Sequence, residues 1–201
     1  MSESARAYHH GDLRAALLDE AATMIAEGGT ASVTMRALGK RLGVSRAAPY
    51  RHFEDKTALL VAVAASGFKR LGGRLRRIAA GEPESSVERV RRMGEEYVRF
   101  ALENPAHYRL MYGREAMARE SLPELREAGN DLFEQLVEVF RVYQESGGFK
   151  RQDPRAQAYV AWSAVHGLAS LLIDGQITST VDVDALIRQT SQTVLDGMRA
   201  Q

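Results

Sequence analysis

Cysteine is absent from the 201 residues. That excludes disulfides, thiolate catalysis and any cysteine-ligated metal site, and it fits a reducing cytoplasm. Long apolar runs are missing too: the longest, Leu59 to Ala65, is far too short to span a bilayer. Met1 to His10 are polar, so no secretory signal is expected. No useful stretch of apolar/polar alternation appears, and neither do repeats or low-complexity tracts. The expectation is therefore a cytoplasmic helical protein with no membrane association. Its apolar share of 45% and charged share of 26% are those of an ordinary globular chain.

Charge is balanced in total, at +1, but not along the chain. Residues 1–80 hold 13 Lys/Arg against 7 Asp/Glu, and residues 81–201 hold 14 against 19. A basic front on an acidic body fits a front that meets a polyanion, and it also fits clustering on a solvated face.

Helical spacing runs almost throughout. Leu13, Leu17, Leu18, Ala21, Met24 and Ile25 predict a first helix that Gly28-Gly29 closes. A compact segment follows from Val33 to Phe53. Asp55 is placed to cap a long helix to about Ala80, and Gly81-Glu82-Pro83 breaks it. Further helices are expected over about Ser86–Glu103, Tyr108–Met111, Pro123–Glu145, Pro154–Ile173 and Val183–Met198. The sum is all-α with about nine helices. The expected division is a three-helix N-terminal domain over 8–58 followed by a helical C-terminal domain over 59–201.

The stretch Met35 to Glu54 reads MRALGKRLGVSRAAPYRHFE. It fits two helices meeting at a tight turn. Leu38, Leu42 and Val44 supply the apolar underside, and Gly39 is small where the helices approach. Gly43 sits in the turn, and Ser45 is placed to cap the second helix. A short helix bearing Arg46, Ala47, Tyr50, Arg51 and His52, with Lys56 beyond, can enter a major groove about 12 Å wide. Arg46 is the candidate for a guanine edge and Ala47 for a thymine methyl. Thr34, Arg36, Tyr50, His52 and Lys56 are placed to hold phosphates. The same spacing also suits an ordinary helical hairpin with solvated charges.

The stretch Leu13 to Leu60 resembles the DNA-binding domain of TetR-family regulators. Thr34, Arg36, Leu38, the Leu42-Gly43-Val44-Ser45 turn, Tyr50-Arg51-His52-Phe53, Lys56 and Leu59-Leu60 carry the resemblance. It implies that Tyr50, His52 and Lys56 grip the DNA backbone while Arg36, Arg46 and Ala47 face the groove. Gly39 stands where the family usually has alanine, at a helix cost of about 1 kcal/mol. Pro49 stands where leucine is common, and it removes roughly one backbone bond from the start of the recognition helix.

Later in the chain, Trp162, His166 and Gly167, with Tyr108-Arg109-Leu110-Met111, resemble the TetR-like subgroup named for a Trp-His-Gly motif. Trp162 and His166 share a helix face. With Tyr97, Phe100, Tyr108, Met111, Phe133, Leu136 and Phe140 they form the candidate ligand pocket, suited to an apolar or aromatic molecule. The competing reading makes these residues core. Val160, Ala164, Leu168, Leu171, Leu172, Leu186, Ile187, Thr190 and Val194 form a wide apolar surface. Two helices from each of two chains would bury it as a four-helix bundle.

The expected function is a dimeric repressor on palindromic double-stranded DNA, released by a small molecule and needing no cofactor. Gly67, Gly72 and Gly73 lie in the connecting helix, where a ligand-driven shift would change the spacing of the recognition elements. The alternative is a helical protein-interaction module, which accounts for the apolar C-terminal helices but not for the basic front. An enzyme is not expected. The five histidines (9, 10, 52, 107, 166) form no ligand cluster, since adjacent His9 and His10 point about 100° apart on a helix. No nucleophile–base pair and no glycine-rich phosphate loop appear. Arg6, His9 and His10 are candidates for a mobile DNA-contacting arm.

Overall fold

A computed structural model describes residues 10–81, 85–113, 122–177 and 180–199. Arg6 and His9 of the candidate arm lie outside these residues, as do Glu82 and Pro83 of the expected break. Eight α-helices occur among the described residues. They are α1 (His10–Ser32), α2 (Met35–Arg41), α3 (Lys56–Ala79), α4 (Ser86–Glu103), α5 (Pro105–Tyr112), α6 (Pro123–Glu145), α7 (Pro154–Ile173) and α8 (Val183–Met198). The expected ninth is a short 3₁₀ turn, Pro49–Arg51.

The helix ends follow from local chemistry. In α1 the backbone leaves helical values at Gly28 and Gly29, and Gly29 adopts φ 70°, ψ 178°, a region open essentially to glycine. Ser32 Oγ donates to the Met24 carbonyl at 2.9 Å, closing the chain back on the helix. The Asp55 carboxylate accepts from Ala58 N–H at 2.8 Å at the start of α3. Ser85, Asp153 and Asp182 cap α4, α7 and α8 in the same way.

Two compact units result. The first comprises the described parts of Met1–Ser66 and Ala106–Leu125, the second those of Gly67–Pro105 and Arg126–Gln201. The division falls inside α3, which runs from Lys56 to Ala79.

In the first unit Leu17, Leu38, Val33, Leu59 and Val63 are fully buried. Arg41 fastens α2 to α1 with Nε 2.5 Å from Glu20 and Nη1 2.6 Å from Glu27. The Arg14 guanidinium lies 5.3 Å from the Phe53 ring centre, a cation–π contact.

In the second unit α4, α7 and α8 pack together, and Val90, Phe140, Phe149, Ala158, Leu195 and Met198 form a buried cluster. Gln144 Nε2 donates to Gln157 Oε1 at 2.8 Å within the core, satisfying two amides that burial would otherwise penalise. Arg74 reaches Glu96 at 3.0 Å and Glu103 at 2.8 Å, joining the end of α3 to α4. By length and composition α7 is apolar enough to cross a membrane, although it contains no long unbroken apolar run. Only 28% of that stretch is buried within the chain.

Candidate nucleic-acid interface and inner cavity

The interface is built on the end of α2. Thr34 is extended, and its hydroxyl accepts from Ala37 N–H at 3.1 Å, so the cap at this site is Thr34. At the other end Val44 N–H bonds the Gly39 carbonyl at 2.9 Å and Gly43 N–H bonds the Lys40 carbonyl at 3.2 Å. This is the paired closure of a Schellman motif, and it requires the left-handed φ of +67° found at Gly43.

Beyond the turn the expected second α-helix does not form. The Ser45 carbonyl accepts from Ala48 N–H at 3.0 Å, three residues on, and Arg51 N–H bonds the Ala48 carbonyl at 3.2 Å. Pro49 has no N–H to complete the four-residue bond to Ser45, so the segment winds as a tighter 3₁₀ turn. Ser45 contributes its carbonyl rather than the expected side-chain cap. Pro49 is buried, and a Cβ built on Gly39 would sit 3.5 Å from Pro49 Cγ and from the Ser45 carbonyl oxygen. That is ordinary contact, so close approach does not demand glycine at position 39.

The buried side of this turn leaves the candidate DNA contacts on the surface. Thr34, Arg36, Ser45, Arg46, Ala47 and Arg51 are exposed, Tyr50 is 57% exposed, and His52 and Lys56 are half-buried. Four cations and no carboxylate belong to this set. Lys40, in the last turn of α2, is also exposed. It was not among the expected residues; its neighbour Arg41 is committed to Glu20 and Glu27.

The second unit contains a cavity of about 50 Å³ lined by Leu75, Val90, Met93, Gly94, Tyr97, Leu136, Ala161, Trp162, Val165, Ser191, Val194 and Leu195. Beside it lies a polar chain of three aromatic side chains. Trp162 Nε1–H donates to Tyr97 Oη at 3.1 Å, and Tyr97 Oη lies 3.0 Å from His166 Nδ1. Indole nitrogen can only donate, so Tyr97 Oη accepts from Trp162, and a neutral imidazole takes either role toward Tyr97 Oη according to its tautomer. Burial agrees with this, lowering the His166 pKa below its ordinary value and favouring the uncharged ring.

Three of the nine candidate ligand residues, Tyr97, Leu136 and Trp162, line this cavity. His166 stands behind Tyr97. Phe100 and Phe140 do not line it: they are 1% and 0% exposed, one under the Arg74 guanidinium and the other against Phe149. Phe133 stacks on Tyr159 with ring centres 4.4 Å apart and meets Trp162 at 5.9 Å. Tyr108 and Met111 are buried in the first unit.

The candidate dimer residues divide as well. Val160 and Leu171 are exposed, whereas Ala164, Leu172, Leu186 and Thr190 are half-buried. Leu168 and Ile187 are buried within the chain and Val194 lines the cavity, so these three offer little surface to a second copy. Tyr159, 48% exposed, adds to the α7 face and was not among the expected residues. Among the described residues no three His, Asp or Glu side chains converge to hold a metal ion.

The model of the family described as "Bacterial regulatory proteins, tetR family" matches residues 17–63, and that of the "Tetracyclin repressor-like, C-terminal domain" matches residues 90–194. Neither description is that of the Trp-His-Gly subgroup. The chain is 32% identical over 113 residues to the nucleoid occlusion factor SlmA of Vibrio vulnificus, covering 56% of each protein. It thus spans about half the length of the curated relatives it matches. A solved protein of unknown function from Rhodococcus sp. RHA1 shares 31% identity at a TM-score of 0.85, over 98% of this chain and 100% of that one. A TetR family protein from Vibrio parahaemolyticus shares 26% identity at a TM-score of 0.70, over 94% of this chain and 99% of its own.

Proposed function

Because the chain belongs to the TetR family of bacterial regulatory proteins, we propose that it is a cytoplasmic transcriptional regulator whose first unit holds operator DNA and whose second unit binds a small molecule that releases it. The observation that carries the DNA reading is the exposed array from Thr34 to Lys56, with Arg36, Arg46, Arg51 and Lys56 as its cations. Tyr50, His52, Lys56 and the free proton of Thr34 hold phosphates, and Arg36, Arg46 and Ala47 face the bases. Occupancy alone blocks transcription, so no residue is assigned a chemical step.

A second copy covers the exposed stripe Tyr159, Val160 and Leu171 on α7. Unpaired apolar surface of this kind favours burial, and a twofold pair presents two DNA-reading units to a palindrome. The same stripe is what a protein-interaction module would use, and sedimentation at micromolar concentration tests the dimer: a monomer removes it.

The α3 helix runs through both units and carries the ligand signal. Among the described residues, nothing beyond its own turn of helix lies within 4 Å of a Cβ built on Gly73, so that glycine is not there for close packing against another element. Alanine at Gly72 and Gly73 is expected to change the ligand response without changing ligand-free DNA affinity; an unchanged response removes α3 from the path. The DNA reading is tested by gel shift on the DNA flanking the chain's own gene, with Tyr50→Ala beside wild type. Binding of both proteins alike, or of neither there or in random-sequence selection, counts against it.

A further inference from the structure

We infer that the inner cavity takes an uncharged, largely apolar molecule bearing one hydrogen-bond acceptor, and that the Ser191 hydroxyl in α8 reads that acceptor. The inference rests on the ligand-responsive reading above and gives its ligand class. Ser191 is 4% exposed, lines the cavity, and its Oγ has no hydrogen-bond partner among the described residues. Helical serine commonly satisfies itself by donating to a carbonyl one turn back, and a buried hydroxyl left unpaired is unfavourable. This one is held available.

Gly94 in α4 keeps the space beside it. A Cβ at that position would come 2.9 Å from Ser191 Oγ and 3.3 Å from Val165 Cγ1. Glycine in the middle of a helix is a disadvantage, and here any side chain would press on the hydroxyl. An unpaired donor and a glycine that admits no side chain therefore meet on the cavity wall.

The surroundings set the rest of the ligand. No wall residue of the cavity carries a charge, so an ion would be desolvated there without compensation. The volume of about 50 Å³ is about a third of the roughly 150 Å³ that holds a benzene ring. It therefore takes the polar end and a few carbons. Leu75, Met93 and Leu136 are shared with an adjoining recess of about 470 Å³ formed by α3, α4 and α6, which accepts the remaining body. The carboxylates of that recess offer no clear counter-charge: Glu134 is 2.7 Å from Arg155, Glu138 is 2.5 Å from Arg141, and Asp131 shares the recess with Arg76.

Trp162 is the single tryptophan and lines the cavity, so its fluorescence reports occupancy directly. The DNA-free full chain is titrated with 1-heptanol, heptanoate and heptylammonium. Wild type is expected to give a saturable change with 1-heptanol and none with either ion over the same range. Ser191→Ala is expected to weaken 1-heptanol roughly fivefold to tenfold, the worth of one net hydrogen bond. Ser191→Cys, of similar size but a weak donor, should lose as much, which separates the hydrogen bond from packing. Melting curves of both variants establish that they are folded. Equal affinity for an ion, undiminished affinity in either Ser191 variant, or no saturable signal up to the solubility of 1-heptanol overturns the inference. No DNA is present, so such a result leaves the DNA reading standing, and a failed gel shift leaves this titration valid.

Discussion

Replacing Tyr97 by phenylalanine removes one oxygen and leaves the shape of the core unchanged. The oxygen serves two partners, Trp162 at 3.1 Å and His166 at 3.0 Å, on a residue that is 4% exposed. After the change His166, half-buried, recovers water at its ring. The Trp162 N–H still points at the former hydroxyl position, where phenylalanine offers no acceptor. An unsatisfied donor of this kind costs about 1–3 kcal/mol. The lower half of that range is the better expectation here, since Trp162 is itself only half-buried. For a chain of this length roughly 2–4 °C of melting temperature accompanies each kcal/mol. Tyr97→Phe should therefore lower Tm by about 2–8 °C in a reversible melt followed by circular dichroism. In a Trp162→Phe background, where no indole N–H remains to be stranded, the same substitution should cost distinctly less. An unchanged or higher Tm, or an equal cost in both backgrounds, would refute the network as a source of stability.

Two glycines of the DNA-reading turn should respond in opposite directions. Gly39→Ala places its Cβ at 3.5 Å from its nearest neighbours inside α2, so it is expected to stabilise by about 0.5–1 kcal/mol. Gly43→Ala forces a side chain onto φ +67° and should destabilise by about 1–2 kcal/mol; denaturant midpoints of the two variants distinguish the signs. His166 also sets a pH dependence. Burial holds its folded pKa below the ordinary 6.5, so the folded state disfavours the charged ring. Its contribution to stability is full above about pH 6.5 and is lost as pH falls through the folded pKa. His166→Gln should flatten the stability profile below pH 6.5, and a profile identical to wild type would remove His166 as its cause.

Most helices were legible because their ends are written in local chemistry. Asp55 and Asp153 precede helical spacing, and Gly28-Gly29 and Gly147-Gly148 follow it. The recognition segment was misjudged for one physical reason. Pro49 was treated as the loss of one bond at the edge of an α-helix, yet without its N–H the segment settles into 3₁₀ winding from Ser45 onward. The exposed array from Thr34 to Lys56 was readable because its polar side chains are interleaved with buried Val33, Met35, Leu38 and Phe53. The cavity was not. Phe100 and Phe140 have the same apolar character as Leu136 and Val165, and composition does not separate a side chain that fills a core from one that borders a void. Ser191 and Gly94 carried no signal at all, since an unpaired hydroxyl is recognised only once its surroundings are known. On the α7–α8 face, Leu168 and Ile187 have the spacing of an interface, and α4 packs against both helices and covers part of that surface.

Binding of specific DNA through phosphate contacts around Tyr50 is read most directly from DNA affinity as a function of salt, for wild type and Lys56→Ala, on the selected operator. Log K should fall steeply and linearly with log[salt], with a slope smaller by about one in Lys56→Ala, because one phosphate contact is lost. A slope near zero in wild type, or one that Lys56→Ala leaves unchanged, would contradict it.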